Sequence, residues 1–155
     1  MTNVTKKRAL GVMVLVAVAG LSYAAGAAKG KAPVNMPAAD LKWEELMKGA
    51  PLQMAKLWGD RAKGEYAMLL KLPGGFDSGM HSHTADYQAV LIKGTWVHTN
   101  EGGAPVELAP GSHVMQPGKQ MHNDACKGTE ECIVFVHQHA KGDFIPAKAP
   151  AAEKK

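Results

Sequence analysis

The chain has 155 residues, a length that suits one domain with a modest core and is too short for two. It carries 18 Lys and Arg against 14 Asp and Glu, a formal charge of +4. No basic patch interleaved with aromatic residues is present, which argues against nucleic-acid binding.

Residues 1–28 have the three parts of a secretory signal peptide. Lys6, Lys7 and Arg8 precede an apolar run and then the small residues "SYAAGAAKG". The alternative is a retained anchoring helix, but the run is shorter than the roughly 20 residues that a membrane span needs. We expect cleavage, a periplasmic or secreted protein and no membrane contact afterwards. Losing three of the 18 basic residues leaves 15 against 14 acidic ones.

The remaining sequence divides by composition. Residues 29–39 are rich in Pro, Gly, Ala and Lys and are typical of a linker, and residues 147–155 are typical of a disordered tail. Residues 40–146 are predicted to form a single domain.

An apolar stripe with helical spacing follows Asp40, which could cap a helix. Its members are Trp43, Leu46, Met47 and Ala50. This pattern predicts a short N-terminal helix that ends before Pro51 and packs on the core. Beyond Pro51, about eight short β-like runs alternate with Gly and Pro turns, which predicts an all-β sandwich or barrel of the jelly-roll type.

His81 and His83 stand one residue apart in "GMHSHTADYQAVLIKG", residues 79–94. On a strand, residues i and i+2 project to the same face, so both imidazoles point to one region. Neutral imidazole is the commonest metal ligand in proteins. The pair alone is a weak signal and needs a third ligand, for which His122 is the candidate.

Two spaced motifs make this chain resemble the cupin superfamily. The first is Gly75, five residues, His81-Ser82-His83 and, further on, Gly94; the second is Gly111, five residues, Pro117 and then His122. The resemblance implies a double-stranded β-helix, that is, a jelly-roll barrel. It also implies one divalent metal, Fe, Mn, Zn, Ni or Cu, held by the three motif histidines.

The chain departs from the cupin pattern at the fourth ligand. The position of the cupin Glu falls on Tyr87 or Gln88, and the nearest carboxylate is Asp86. Gln88 could bind the metal through its amide oxygen and Tyr87 through its phenol, or three histidines could leave positions open for substrate. Gln88, Tyr87 and Asp86 are also the candidates for orienting a substrate or moving a proton.

The lack of a carboxylate ligand is similar to three-histidine cupin dioxygenases. The predicted function is therefore a small-molecule metalloenzyme of the dioxygenase type. The alternative is a non-catalytic module that binds or senses a small molecule or a metal, since fold alone does not fix function. A third hypothesis makes the barrel a structural unit for a homodimer.

Cys126 and Cys132 flank a turn-like interval, and an exported protein could join them in a disulfide. Free thiols, or a zinc site that also uses His122, are the alternatives. His137 and His139 are interpreted as ordinary strand residues, with a secondary metal site as the alternative. His98 could hydrogen-bond to a group at the metal site.

Overall fold

The computed structural model describes residues 32–148. The predicted signal peptide at residues 1–28 lies outside the described residues, as does the tail from residue 149 onward. Ala147 is described, and its N–H donates to the carbonyl of Met80 at 2.9 Å, so ordered contacts run one residue past the predicted domain end. Among the described residues, no helix has the length and apolar content to cross a bilayer.

Eleven strands follow one another in the described part of the chain. They are β1 Trp43–Glu45, β2 Gln53–Gly59, β3 Tyr66–Leu72, β4 His81–Ser82, β5 Tyr87–Lys93, β6 Trp96–Asn100, β7 Val106–Leu108, β8 His113–Gln116, β9 His122–Cys126, β10 Cys132–Gln138 and β11 Ile145–Pro146. A single 3-10 turn, Ala38–Asp40, precedes them.

The strands form two sheets in which every pairing is antiparallel. One sheet has six strands in the order β1-β2-β3-β10-β5-β8, and the other has five in the order β11-β4-β9-β6-β7. Strands distant in sequence lie side by side, as in a jelly roll. The predicted all-β, cupin-type jelly-roll fold is confirmed.

The core lies between the inward faces of the sheets. In β10 the burial alternates strictly, so that Val134 and Val136 face the core while Phe135 and His137 lie on the outer face. This alternation follows from the two-residue period of a strand. Leu72, Leu91 and Trp96 are among the most buried side chains.

The prediction of an α-helix after Asp40 is wrong, because the 3-10 turn ends at Asp40 and a strand follows it. Trp43–Glu45 form an edge strand that pairs with β2, with Trp43 opposite Ala55. The ammonium of Lys71, on β3 of the same sheet, lies 4.1 Å from the centre of the Trp43 ring. This cation–π contact helps to hold β1 at the sheet edge. Leu46 and Met47 do pack against the core, as expected, but from a turn.

Cys126 and Cys132 form the predicted disulfide, with their Cα atoms 5.7 Å apart. The bond joins the end of β9 in one sheet to the start of β10 in the other. Such a bond is consistent with the oxidising compartment that the sequence predicts.

Candidate metal centre

Three histidines meet where β4 and β9 pair. His81 and His122 occupy directly opposed positions on the two strands, and His83 follows β4 on the same side. Their rings are close, with centroid separations of 4.3 Å for His81–His122, 5.0 Å for His81–His83 and 5.3 Å for His83–His122. One ring nitrogen of each lies within 4.8 Å of those of the other two, a spacing that could hold a metal ion.

Each of these imidazoles is oriented by a backbone carbonyl. His81 Nδ1 lies 2.9 Å from the Gly79 carbonyl oxygen, and His122 Nδ1 lies 3.2 Å from that of Gln120. His83 Nδ1 lies 2.6 Å from the carbonyl oxygen of Asp143. Because a carbonyl can only accept, Nδ1 carries a proton in all three rings, and in the neutral ring Nε2 keeps its lone pair. This is the arrangement that fixes the tautomer of metal-binding histidines.

Burial favours the neutral form of His81 and His83. His81 is only 3% exposed, and burial lowers its pKa from 6.5 to about 4, with the neighbouring His122 acting in the same direction. Burial likewise lowers the pKa of His83. Neutral imidazoles are the form that binds metal.

Asp124 places a buried carboxylate beside the histidines. Its Oδ2 atom lies 3.5 Å from His122 Nε2 and 3.8 Å from His81 Nε2. Its Oδ1 atom accepts hydrogen bonds from Trp96 Nε1 at 3.0 Å and from His98 Nδ1 at 2.8 Å. Burial opposes ionisation of Asp124, but the imidazoles of His122 and His98 outweigh it and hold the pKa of the carboxyl well below its usual value.

His98 supports Asp124 from the interior. Burial disfavours its charged form, but the hydrogen bond and charge of Asp124 outweigh this and raise its pKa. Its Nε2 atom lies 3.2 Å from Gln116 Oε1, whose amide nitrogen donates to the carbonyls of Pro117 and Gln120. Both nitrogens of His98 therefore face acceptors, as in an imidazolium paired with the Asp124 carboxylate.

Of the three residues proposed for catalysis, the structure brings Tyr87 to the histidines. Its hydroxyl lies 3.4 Å from His122 Nε2 and donates to Asp124 Oδ2 at 3.4 Å. Burial, together with the negative charge of Asp124, raises the pKa of Tyr87 well above 10. The phenol therefore stays protonated at neutral pH.

Gln88 and Asp86, which were predicted to bind the metal or a substrate, lie away from the three histidines. Gln88 follows Tyr87 on β5 and so points to the opposite face, where it is exposed and its Oε1 lies 3.3 Å from His113 Nε2. Asp86 is also exposed and accepts the N–H of Gly118 at 2.7 Å, which ties two loops together. Neither side chain is placed to bind the metal.

Asp124 is not among the site residues predicted from the sequence. The signal was present, because His122 and Asp124 have the same i, i+2 spacing as His81 and His83.

A cavity of about 80 Å³ opens beside the centre, between the two sheets. Most of its wall is apolar, with contributions from Leu46, Met68 and Val136. The polar part of the wall includes His81, His83, Tyr87, Asp124 and Arg61. A mainly apolar cavity with a few convergent polar groups is typical of a small-molecule site.

A second group of possible ligands lies at the surface. His137 Nε2 and His139 Nδ1 lie 3.0 Å and 3.1 Å from the same oxygen of Glu65. Unlike His81 and His122, His139 is largely exposed, with 73% of its side chain accessible. His137 lies on β10 as predicted, but His139 follows the end of that strand. Together with Glu65 the two histidines could hold a metal ion.

Comparisons with known proteins agree with this fold. Residues 26–145 match the model of a family described as a domain of unknown function, DUF4437. Comparison with the curated proteins finds no match to this sequence.

Solved structures with the same fold are distant in sequence. The chain is similar to the polyketide cyclase RemF from Streptomyces resistomycificus, with TM-score 0.64 and 16% identity over 77% of this chain and 88% of that one. It is also similar to an RmlC-like cupin protein from Ralstonia eutropha, with TM-score 0.61 and 19% identity over 76% and 74%. KdgF from Halomonas sp. gives TM-score 0.56 and 16% identity over 70% and 94%. At such identities the likeness shows the cupin fold alone.

Proposed function

The chain belongs to the DUF4437 family, which is cupin-like, and from this premise we propose that it is a metal-dependent enzyme acting on a small organic molecule. The observation that carries the proposal is the convergence of three Nε2 atoms, each on a ring whose Nδ1 is held by a backbone carbonyl. These atoms stand beside a cavity that contains a buried phenol.

The donor set fits a divalent first-row metal. His81, His83 and His122 would hold the ion through Nε2. Asp124 Oδ2, which lies 3.5 Å from His122 Nε2 and 3.8 Å from His81 Nε2, would add a fourth donor. Imidazole and carboxylate together suit iron, manganese, zinc, nickel or copper, so the donors do not select among them. Such an ion supplies a Lewis acid for an oxygen atom of the substrate.

Tyr87 is the residue placed to hold or move a proton. Its hydroxyl lies between His122 and Asp124 on the cavity wall, and its raised pKa keeps it protonated. It can donate a hydrogen bond to a substrate oxygen that gains negative charge, or transfer the proton to that atom. The apolar wall excludes water from this exchange.

This arrangement favours proton transfer over the dioxygenase reaction that the sequence predicts. The dioxygenase hypothesis relied on the lack of a carboxylate among the ligands, and Asp124 removes that reason. A neighbour in fold, RemF, is named a cyclase. Oxygen dependence of turnover separates the two reactions.

The proposal is tested by metal content and turnover of the purified full chain. His81→Ala and His122→Ala should lose most of the bound metal, whereas His113→Ala, a matched change on the outer face, should keep it. The metal-loaded protein should convert at least one compound in a screen of small organic acids and do so without oxygen. Wild-type metal content in both site variants would contradict the metal centre. Stoichiometric metal without turnover would favour the non-catalytic binding module.

A further inference from the structure

Arg61 brings an unpaired positive charge to the cavity that holds the histidines. It lies in the loop between β2 and β3, and its side chain is part of the cavity wall. Its Nε atom is buried and has no hydrogen-bond partner among the described residues. Burying such a donor without a partner is costly, because the lost hydration is not replaced.

Carboxylates of the same loop and of the cavity wall are engaged elsewhere, and Asp124 has the partners described above. Asp60 pairs with Lys63 at 2.9 Å, and Glu65 accepts from His137 and His139. The carboxylate of Asp143 accepts the N–H and the hydroxyl of Thr84. No salt bridge joins Arg61 to a carboxylate within residues 32–148, whereas four lysines there form ion pairs.

The side chain of Arg61 is held in place by its surroundings. Its backbone carbonyl accepts the N–H of Gly142 at 2.9 Å. A Cβ atom added at Gly142 would lie 2.6 Å from Arg61 Nε and 2.7 Å from Tyr66 Oη, so glycine is required for this close packing. Tyr66 in turn donates to Gln138 Oε1 at 2.7 Å.

The same segment links Arg61 to the metal centre. Gly142 contacts Arg61, and the next residue, Asp143, provides the carbonyl that accepts from His83 Nδ1. Phe144 then stacks on His81 with ring centroids 4.5 Å apart. One stretch of three residues therefore contacts both the guanidinium and two of the histidines.

We propose that Arg61 binds the carboxylate of a small organic acid whose other polar end lies at the three histidines. This inference rests on the proposed function for the part of the ligand that lies at the three histidines, and it adds the class of substrate. The planar guanidinium offers parallel N–H donors that match a carboxylate. The cavity of about 80 Å³ beside the histidines favours a small organic acid over a larger one.

Binding of pyruvate and its uncharged isostere pyruvamide tests this proposal. Calorimetric titrations would use the full chain loaded with Zn²⁺ and the same protein stripped of metal. Wild type should bind pyruvate about tenfold or more tightly than pyruvamide, because a charge-assisted hydrogen bond is lost with the amide. Arg61→Gln should abolish this preference while its Zn²⁺ affinity and circular dichroism spectrum stay unchanged.

Lys63→Gln is the matched control, since it removes one positive charge from the same loop at an exposed position. It should keep the preference for pyruvate. An unchanged preference in Arg61→Gln, or no preference in wild type, would overturn the proposal. Equal competition by inorganic phosphate would show a general anion site and overturn the carboxylate assignment.

The two proposals fail in distinguishable ways. If the chain does not bind Zn²⁺ but stripped protein keeps an Arg61-dependent preference for pyruvate, the metal centre is wrong and the Arg61 assignment stands. If the histidines bind Zn²⁺ and wild type does not distinguish pyruvate from pyruvamide, the metal centre stands and the Arg61 assignment is wrong.

Discussion

At the scale of single residues, Asp124 connects the candidate metal centre to the interior. One carboxylate oxygen accepts from Trp96 and His98, and the other faces Nε2 of His122 and His81. The residue thus has two roles: it compensates a buried imidazolium and it offers a negative donor to a cation. Both roles depend on the negative charge of Asp124. Replacing it with asparagine, which has nearly the same shape and no charge, therefore tests the contribution of the charge.

Asp124→Asn should weaken metal binding by about ten- to a hundredfold, the range found when groups supporting a metal site are changed. The amide preserves an oxygen for hydrogen bonding but removes the negative charge that favours a cation. Affinity can be measured by competition with a metallochromic chelator. Asp86→Asn is the matched control, because Asp86 is exposed and bonds to Gly118 instead. Equal affinities for the two variants would contradict a role for Asp124 at the metal.

Residue patterns predicted the histidines but not their whole surroundings. The i, i+2 spacing and the motif offset placed His81, His83 and His122 together. Tyr87 and Gln88 could not be separated from the sequence, because which strand face is buried depends on the pairing of β5 with β10 and β8. Arg61 gave no signal, since "GDRAKG" is a polar turn by composition and its burial comes from the distant Gly142.

At the scale of elements, pairing between distant segments prevailed over local periodicity. The stretch after Asp40 has helical spacing, yet Trp43–Glu45 add to the edge of the six-stranded sheet through β2. Propensity is a weak prior that tertiary contacts override. The strands after Pro51 were easier to predict, because Gly and Pro turns separate them and their burial alternates, as in β10.

The disulfide between β9 and β10 should stabilise the fold by restricting the unfolded chain. The two cysteines are six positions apart, and closing so short a loop contributes about 2 kcal/mol. Urea unfolding with and without the reductant TCEP should therefore show a lower free energy of unfolding after reduction. The Cys126→Ser/Cys132→Ser variant should not respond to TCEP. Identical urea midpoints for oxidised and reduced wild type would contradict this prediction.

At the scale of the whole molecule, the fold places its chemistry inside and leaves an apolar outer face. Trp58, Ile92 and Met115 are each about half exposed on strands of the six-stranded sheet. Exposed apolar side chains on one sheet suit the homodimer suggested by the sequence analysis, which stays a prediction. Burial in the interior also makes stability depend on pH, because His81 and His83 take up a proton less readily in the folded protein than in the unfolded chain.

The free energy of unfolding of the metal-free protein should therefore fall in mild acid. The folded-state pKa of His81 is about 4 and its unfolded value about 6.5, so between these values the unfolded chain binds the extra proton. Stability rises with pH where the unfolded state binds more protons, so acidification favours unfolding in this window. For His81 alone the loss from pH 7.5 to pH 5 is about 2 kcal/mol, and the lowered pKa of His83 adds to it.

Two other groups also make the free energy of unfolding depend on pH. His98 opposes the effect of His81, and Asp124 acts at lower pH. The raised pKa of His98 contributes stability that is present in acid and lost as pH rises through its folded value, so it offsets part of the effect. The lowered pKa of Asp124 contributes stability that is lost only as pH falls below the ordinary carboxyl range. Urea unfolding in EDTA at pH 7.5 and pH 5 measures the net change. His81→Gln, which cannot titrate, should show a smaller decrease than wild type, and equal decreases in the two proteins would contradict the assignment to His81.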